Sequence, residues 1–334
     1  MSQKAENTGA MMPPMVKFFL TKRVPCAFIV VMMLTSAYWF DALFGNIPLI
    51  GFLLVLLGMA LHLTVPSVFA LVLFGGGLGY SLQVGGIAAL GILMLSSGSV
   101  YAVLIFLGLF VLVPVLIALA MQRQGLNQAS WRLAIAIFLL VVAALMIAMD
   151  AEGIKAFVTQ MFKPMFDSLA ANVPAGETVA VESLRQLQKA MIDVFPGLLV
   201  LSLWLIWWGN ILFARKLAKR FGFYQGDDST MLTLFLPRQL VYILFVFALI
   251  SSVAEGDLQY IAMSGMFVLS GLLAVQGIVV AHAWLKSRGM MNSIVVMYVM
   301  LFFWSIVIVV FMMIGLFDIW FNFRRNIISA TGEK

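Results

Sequence analysis

The chain has 334 residues, 63% of them hydrophobic and 10% charged, with a mean hydropathy of +1.09. A soluble domain carries about 25% charged residues, so this composition excludes a soluble globule and points to a polytopic membrane protein. The net charge of +6 reads as cations retained on cytoplasmic loops rather than as a nucleic-acid surface.

Residues 1–23 form a polar, basic leader with Lys4, Lys17, Lys22 and Arg23. Thr35-Ser36-Ala37 weakly matches a signal-peptide cleavage site. The leader is long, however, and Tyr38-Trp39 reads as an interface anchor, so the first helix is expected to stay uncleaved. Nine apolar segments follow: 24–40, 47–63, 66–95, 99–121, 132–149, 196–212, 235–253, 258–285 and 292–321. Most meet the requirement of about 20 residues for crossing the hydrocarbon. The third holds Gly75-Gly76-Gly77, Gly79, Gly85-Gly86 and Gly91, so a broken span is expected there.

The sixth segment sets the orientation. Phe195-Pro196-Gly197 leads through Trp204, Trp207, Trp208 and Asn210 to Arg215, Lys216, Lys219 and Arg220. With the N-terminus inside, 13 of the 20 Lys and Arg fall inside. Nine crossings nonetheless put Arg324 and Arg325 outside, against the positive-inside rule.

Between the fifth and sixth segments lies the one sizeable extramembrane piece. Ile154, Phe157, Val158, Met161, Phe162, Met165, Phe166 and Leu169 make an apolar helical stripe, interrupted by Pro164. Val173-Pro174-Ala175-Gly176 is a turn, and Val181, Leu184, Leu187 and Met191 give a second stripe. An amphipathic hairpin of this kind either shields helix ends or acts as a lid over an outward-facing cavity. The expected layout is a cytoplasmic tail (1–23), N-terminal transmembrane helices (24–149), an extracytoplasmic amphipathic hairpin (150–194), C-terminal transmembrane helices (195–323) and a polar tail (324–334). The fold class is all-α, a polytopic transmembrane bundle of about nine helices. No internal repeat is visible, which leaves an inverted-repeat transporter without support.

Three places carry a family resemblance: Phe195–Arg220 as quoted above; Gln276-Gly277 running to His282-Ala283-Trp284-Leu285-Lys286; and Gly315-Leu316-Phe317-Asp318-Ile319-Trp320-Phe321-Asn322-Phe323-Arg324-Arg325. With the acidic amphipathic loop, these resemble the YybS-like bacterial inner-membrane proteins. That family has no assigned function. It is grouped loosely with the substrate-capture subunits of energy-coupling-factor (ECF) vitamin transporters, which usually have about six helices, fewer than here. The resemblance implies a bacterial inner-membrane location and, as partners beside the lipid bilayer, other membrane subunits or a cytoplasmic ATPase module. It brings no functional residues with it.

Polar groups inside hydrocarbon are costly, so each needs a reason. The candidates are Asn210, Arg238, Gln276 and His282 toward the cytoplasmic end, and Asp318 with Arg325 in the last segment. The first four read either as a polar pocket or partner-docking face, or as helix glue (Asn210, Gln276) and a snorkelling Arg238. Gln276 and His282 lie about 120° apart around a helix, so one cavity cannot easily use both. Offsets of four and seven put Asp318, Asn322 and Arg325 on one face. There Arg325 either neutralises Asp318 or joins an aromatic belt with Trp320, Phe321 and Phe323. Gly75 with Gly79, and Gly277 with Ala281, allow close helix approach.

No Walker A loop, GxSxG elbow or HExxH motif occurs. A single cysteine, Cys26, leaves no disulfide framework, and two histidines, His62 and His282, leave little for a metal cluster. Asp227-Asp228 reads as a solvated loop. No cofactor, nucleic acid or catalytic set is expected, so the expectation is a non-enzymatic membrane subunit that captures or transports a small solute with separate energising partners. The alternative is a scaffold or assembly factor in a membrane or envelope complex.

Overall fold

The computed structural model describes residues 14–149, 151–173, 178–227, 229–304 and 306–323. They form eleven helices: α1 (Pro14–Thr21), α2 (Arg23–Phe44), α3 (Pro48–Leu95), α4 (Val100–Gln124), α5 (Leu126–Ala148), α6 (Ile154–Ala171), α7 (Thr178–Arg220), α8 (Gln239–Val253), α9 (Gly256–Ser287), α10 (Met291–Phe303) and α11 (Val307–Phe321). Among the described residues six of these are long and apolar enough to cross a membrane: α2, α3, α4, α5, α7 and α9. The pair α10–α11, bent by 119°, makes a seventh if it counts as one span. The protein is thus an all-α membrane protein. Arg324, Arg325, Asp228 and the turn around Pro174 lie outside the described residues.

Two compact units can be described. The first takes the described residues up to Leu133 and from Trp204 to Asp227; the second takes Ala134–Leu203 and the residues from Ser229 on.

In the first unit the expected border between the second and third segments, at residues 64–65, is not a break, and the chain reverses instead inside the glycine-rich segment, where a broken span was expected. Helix α3 runs through Pro66 and departs from helical geometry at Gly77 (φ 77°, ψ 177°). That conformation is open to glycine and closed to residues with a Cβ. The reversal follows from what the two arms touch. Gly58, before the break, packs on Ser36 and Ala37 of α2; Gly91, after it, packs on Val31 of the same helix. These α2 positions span about 9 Å of helix, whereas 33 unbroken residues would span about 50 Å. Tyr80 donates to the Phe19 carbonyl at 3.0 Å and Gly75 faces Leu20, so the turn sits beside α1. Within α4, Phe106–Leu112 is π-helical.

In the second unit, α6 is a continuous helix through Pro164, contrary to the expected interruption. Pro164 is exposed, so the carbonyl it leaves without an N–H faces outward. The buried stripe is narrower than the sequence pattern, with Ile154, Val158 and Phe166 covered and Met161, Met165 and Leu169 exposed. The expected border at 194/195 is not a break: α7 runs 43 residues through Pro196. The base of the hairpin is tied to α9. Asp257 accepts the Ile154 N–H at 2.8 Å, capping α6 from the first turn of α9. Tyr260 donates to the Ile192 carbonyl.

Candidate functional site

The second unit brings two of the sequence-selected residues together through a glycine contact. Helices α9 and α11 cross with their backbones touching. A Cβ on Gly277 would run into the Phe311 carbonyl, and one on Gly315 into the Leu273 carbonyl. The pairings 273 with 315 and 277 with 311 show that the two helices run antiparallel. The small-residue partner of Gly277 is therefore Gly315 on another helix. A methyl on Gly79, by contrast, would meet nothing within 4 Å.

Beside this crossing, Gln276 and Asp318 are both fully buried. The Gln276 Nε2 donates to Asp318 Oδ2 at 2.8 Å and lies 3.4 Å from the Gly315 carbonyl. Its Oε1 accepts the Leu236 N–H at 2.9 Å. Asp318 Oδ1 accepts the Phe323 N–H at 2.9 Å. The latter bond exists because α11 stops at Phe321: Asn322 takes the left-handed conformation (φ 44°, ψ 59°), and its N–H bonds the Asp318 carbonyl. Asn322 is therefore a helix cap and does not share a helical face with Asp318, as the offset of four had suggested.

The depth of this joint follows from helix length. Helix α9 has 32 residues, about 48 Å, and Gln276 lies about 30 Å from its start, so about 6 Å past its midpoint. Irregular backbone meets it there from two directions: the non-helical stretch through Leu234 and Leu236, both buried, and the end of α11. At such depth irregular backbone persists only where it is buried in protein or lines a cavity.

An apolar cavity of about 210 Å³ lies one helical turn away. Its walls include Ala134 and Phe138 of α5, Leu240 and Phe247 of α8, and Gly265, Leu269 and Leu272 of α9. Leu272 is one turn before Gln276, and Leu240 is four residues after Leu236. Gln276 and Leu236 thus each lie four residues beyond a wall residue at one end of the cavity, without lining it themselves.

The remaining candidates go elsewhere. Arg238 is exposed, beginning α8 after Pro237. His282 Nδ1 is 3.0 Å from the Tyr298 hydroxyl of α10. Arg325 is outside the described residues. In the first unit Asn210 donates to the Ile206 carbonyl at 2.8 Å and to the Leu63 carbonyl at 2.9 Å. Pro66 disturbs the helix ladder at that turn, and the Asn210 amide supplies a donor there. The same unit holds a joint that sequence reading assigned to a solvated loop. Asp227 takes Arg215 at 3.2 Å and the Leu126 N–H at 3.4 Å, and Arg215 lies over the Tyr224 ring. The adjacent YQGDD residues gave no signal of this, because Leu126 comes from a distant place in the chain and Arg215 from the helix that precedes the loop.

Residues 42–319 match the family DUF2232, described as a predicted membrane protein. No curated protein and no solved structure matches the chain.

Proposed function

The chain belongs to the DUF2232 family of predicted membrane proteins, and we propose that it is a membrane subunit that captures a small solute and relies on separate partners for energy. The observation that carries this reading is the Gln276–Asp318 joint at the end of an apolar cavity. An ionisable side chain buried at membrane depth is a functional-site hypothesis by default. Ligand sites combine apolar walls with a few placed polar groups, and interrupted helices supply those groups in transporters. A solute with an apolar body and one polar end fits: the body lies along α5, α8 and α9, and the polar end exchanges for the Gln276 amide or the Leu236 N–H.

The sequence has no Walker A loop, so on this reading an ATP-driven route draws on a separate subunit. The YybS-like resemblance, with its link to energy-coupling-factor capture subunits, supports an ATPase module and a bacterial inner-membrane location. On this reading the chain performs no chemistry of its own. Its N-terminus is cytoplasmic and the α6–α7 hairpin lies outside. The inside loop of the nine-segment scheme moves from residues 64–65 to the reversal at Gly77, beside the basic leader.

A scaffold is the second reading, favoured by Asn210: its amide donates to two backbone carbonyls, one of them on another helix, and so joins helices. One experiment separates the two. The full chain and its D318N variant are affinity-purified from native membranes, and co-purified proteins and small molecules are identified by mass spectrometry. Capture predicts a small molecule held by the wild type and lost from D318N, together with an ATPase. Envelope-assembly proteins with no small molecule on either form would replace this reading with the scaffold.

A further inference from the structure

We propose that the cleft between α6 and the first turns of α7 binds a phosphate group, carried by a lipid headgroup or free in solution. Between residues 151 and 195 the sequence has four cations, Lys155, Lys163, Arg185 and Lys189, against five acids, Glu152, Asp167, Glu177, Glu182 and Asp193. The segment as a whole is therefore no anion attractor. The fold sorts these charges. Three of the four cations, Lys155, Arg185 and Lys189, line one cleft of about 380 Å³ with a single acid, Asp193. Lys155 is already spoken for, with its ammonium 2.7 Å from the Asp193 carboxylate. Arg185 and Lys189 have no ion-pair partner among the described residues. They stand one turn apart on α7, with Gln188 between them and Thr159 across on α6.

Two unbalanced cations, a guanidinium among them, with an amide and a hydroxyl as further donors, match the charge and acceptor geometry of a phosphate. A carboxylate would use the guanidinium fork but leave the opposite wall idle. The place in the chain also fits a headgroup. Ile192 and Asp193 of the cleft lie just before Phe195-Pro196-Gly197, where α7 becomes continuously apolar. The floor is fixed by the Tyr260–Ile192 bond and by Lys155 over the Tyr260 ring, so the cleft is held open by α9 rather than by its ligand. This site is separate from the Gln276–Asp318 joint and does not rest on the solute-capture reading.

The test uses the full chain in a neutral detergent at low salt. Short-chain phosphatidylglycerol, short-chain phosphatidylcholine and inorganic phosphate are titrated separately, and binding is read from the thermal-shift midpoint. Each cation near a headgroup contributes a few-fold in affinity, so R185Q/K189Q should weaken phosphatidylglycerol binding by about tenfold. K163Q, outside the cleft, should leave it unchanged, and R185K/K189R should retain most of it. Should inorganic phosphate bind with the same dependence and phosphatidylglycerol no better, the source is free phosphate; should phosphatidylglycerol alone bind, it is lipid. Equal binding by the wild type and R185Q/K189Q, with both folded, overturns the proposal. So does binding of either lipid that R185Q/K189Q leaves intact when free phosphate has no effect.

Discussion

The Gln276 amide donates to the Asp318 carboxylate at 2.8 Å while its oxygen accepts the Leu236 N–H at 2.9 Å. One side chain on α9 thereby joins α11 to a non-helical segment that has no ladder of its own. A buried group left without its partner costs about 1–3 kcal/mol. Asp318→Ala strands both the Gln276 amide and the Phe323 N–H, so it should destabilise by about 2–5 kcal/mol in detergent unfolding. Gln276→Leu strands the Leu236 N–H and removes one donor from the carboxylate, which keeps the Phe323 N–H, with a similar loss. If the bond is formed, the double mutant should fall short of the sum by about 0.5–3 kcal/mol. Strict additivity would show that the two side chains do not interact.

The α9–α11 crossing makes a second expectation. A methyl at Gly277 or Gly315 meets a backbone carbonyl, which cannot rotate away. Either G277A or G315A must push the helices apart, with a loss of about 1–3 kcal/mol, the usual cost of overpacking. Gly79→Ala, with open space around it, should be neutral or slightly stabilising. Melting curves of the three variants rank these sites; a neutral G277A means the helices do not touch there.

Much of the fold was legible because it is written in local pattern. The apolar runs, the glycine-rich break and the amphipathic hairpin each follow from residues near one another in sequence. The site was legible only in its ingredients. Gln276 and Asp318 stood out separately as polar residues in apolar spans. Their pairing did not, since Arg325 was the nearest partner by sequence and the actual partner is 42 residues away. Gly58 illustrates the same limit. It makes the tight α2–α3 contact that receives the Ser36 hydroxyl at 2.9 Å, but only its facing helix reveals this. Spacing marks which residues can approach another helix; it says nothing about which helix.

Asn210 offers a test of the kink at Pro66. Asn210→Ala removes the donor to the Leu63 carbonyl and should destabilise by about 1–2 kcal/mol. In a Pro66→Ala background the regained N–H pairs with the His62 carbonyl, four residues back, and not with Leu63, so the Asn210→Ala loss should persist. A loss that shrank in that background would mean that the ladder relaxes at Leu63 as well, and that the amide serves the kink rather than the α3–α7 contact.

The final prediction concerns orientation and the last two helices. Single cysteines in a Cys26→Ser background at Ser183 and Gly256 should react from outside, and at Gln225 and Ser287 only from inside. The reversal at Gly77 lies beside α1 and its basic flank, so Leu78→Cys should also react only from inside. Helices α10 and α11 have 13 and 15 residues, about 20 and 22 Å, each short of the roughly 30 Å hydrocarbon. Bent by 119°, they do not add up to one straight crossing. Because α11 runs antiparallel to α9, it leads away from the Ser287 end, toward the side where α9 begins. A cysteine at Ser329 should therefore be labelled from the side opposite Ser287, with the arginines held there by local anchoring against the positive-inside rule. Labelling from the same side as Ser287 would mean that the chain turns back after Phe323, and the conflict of the nine-segment count with that rule would vanish.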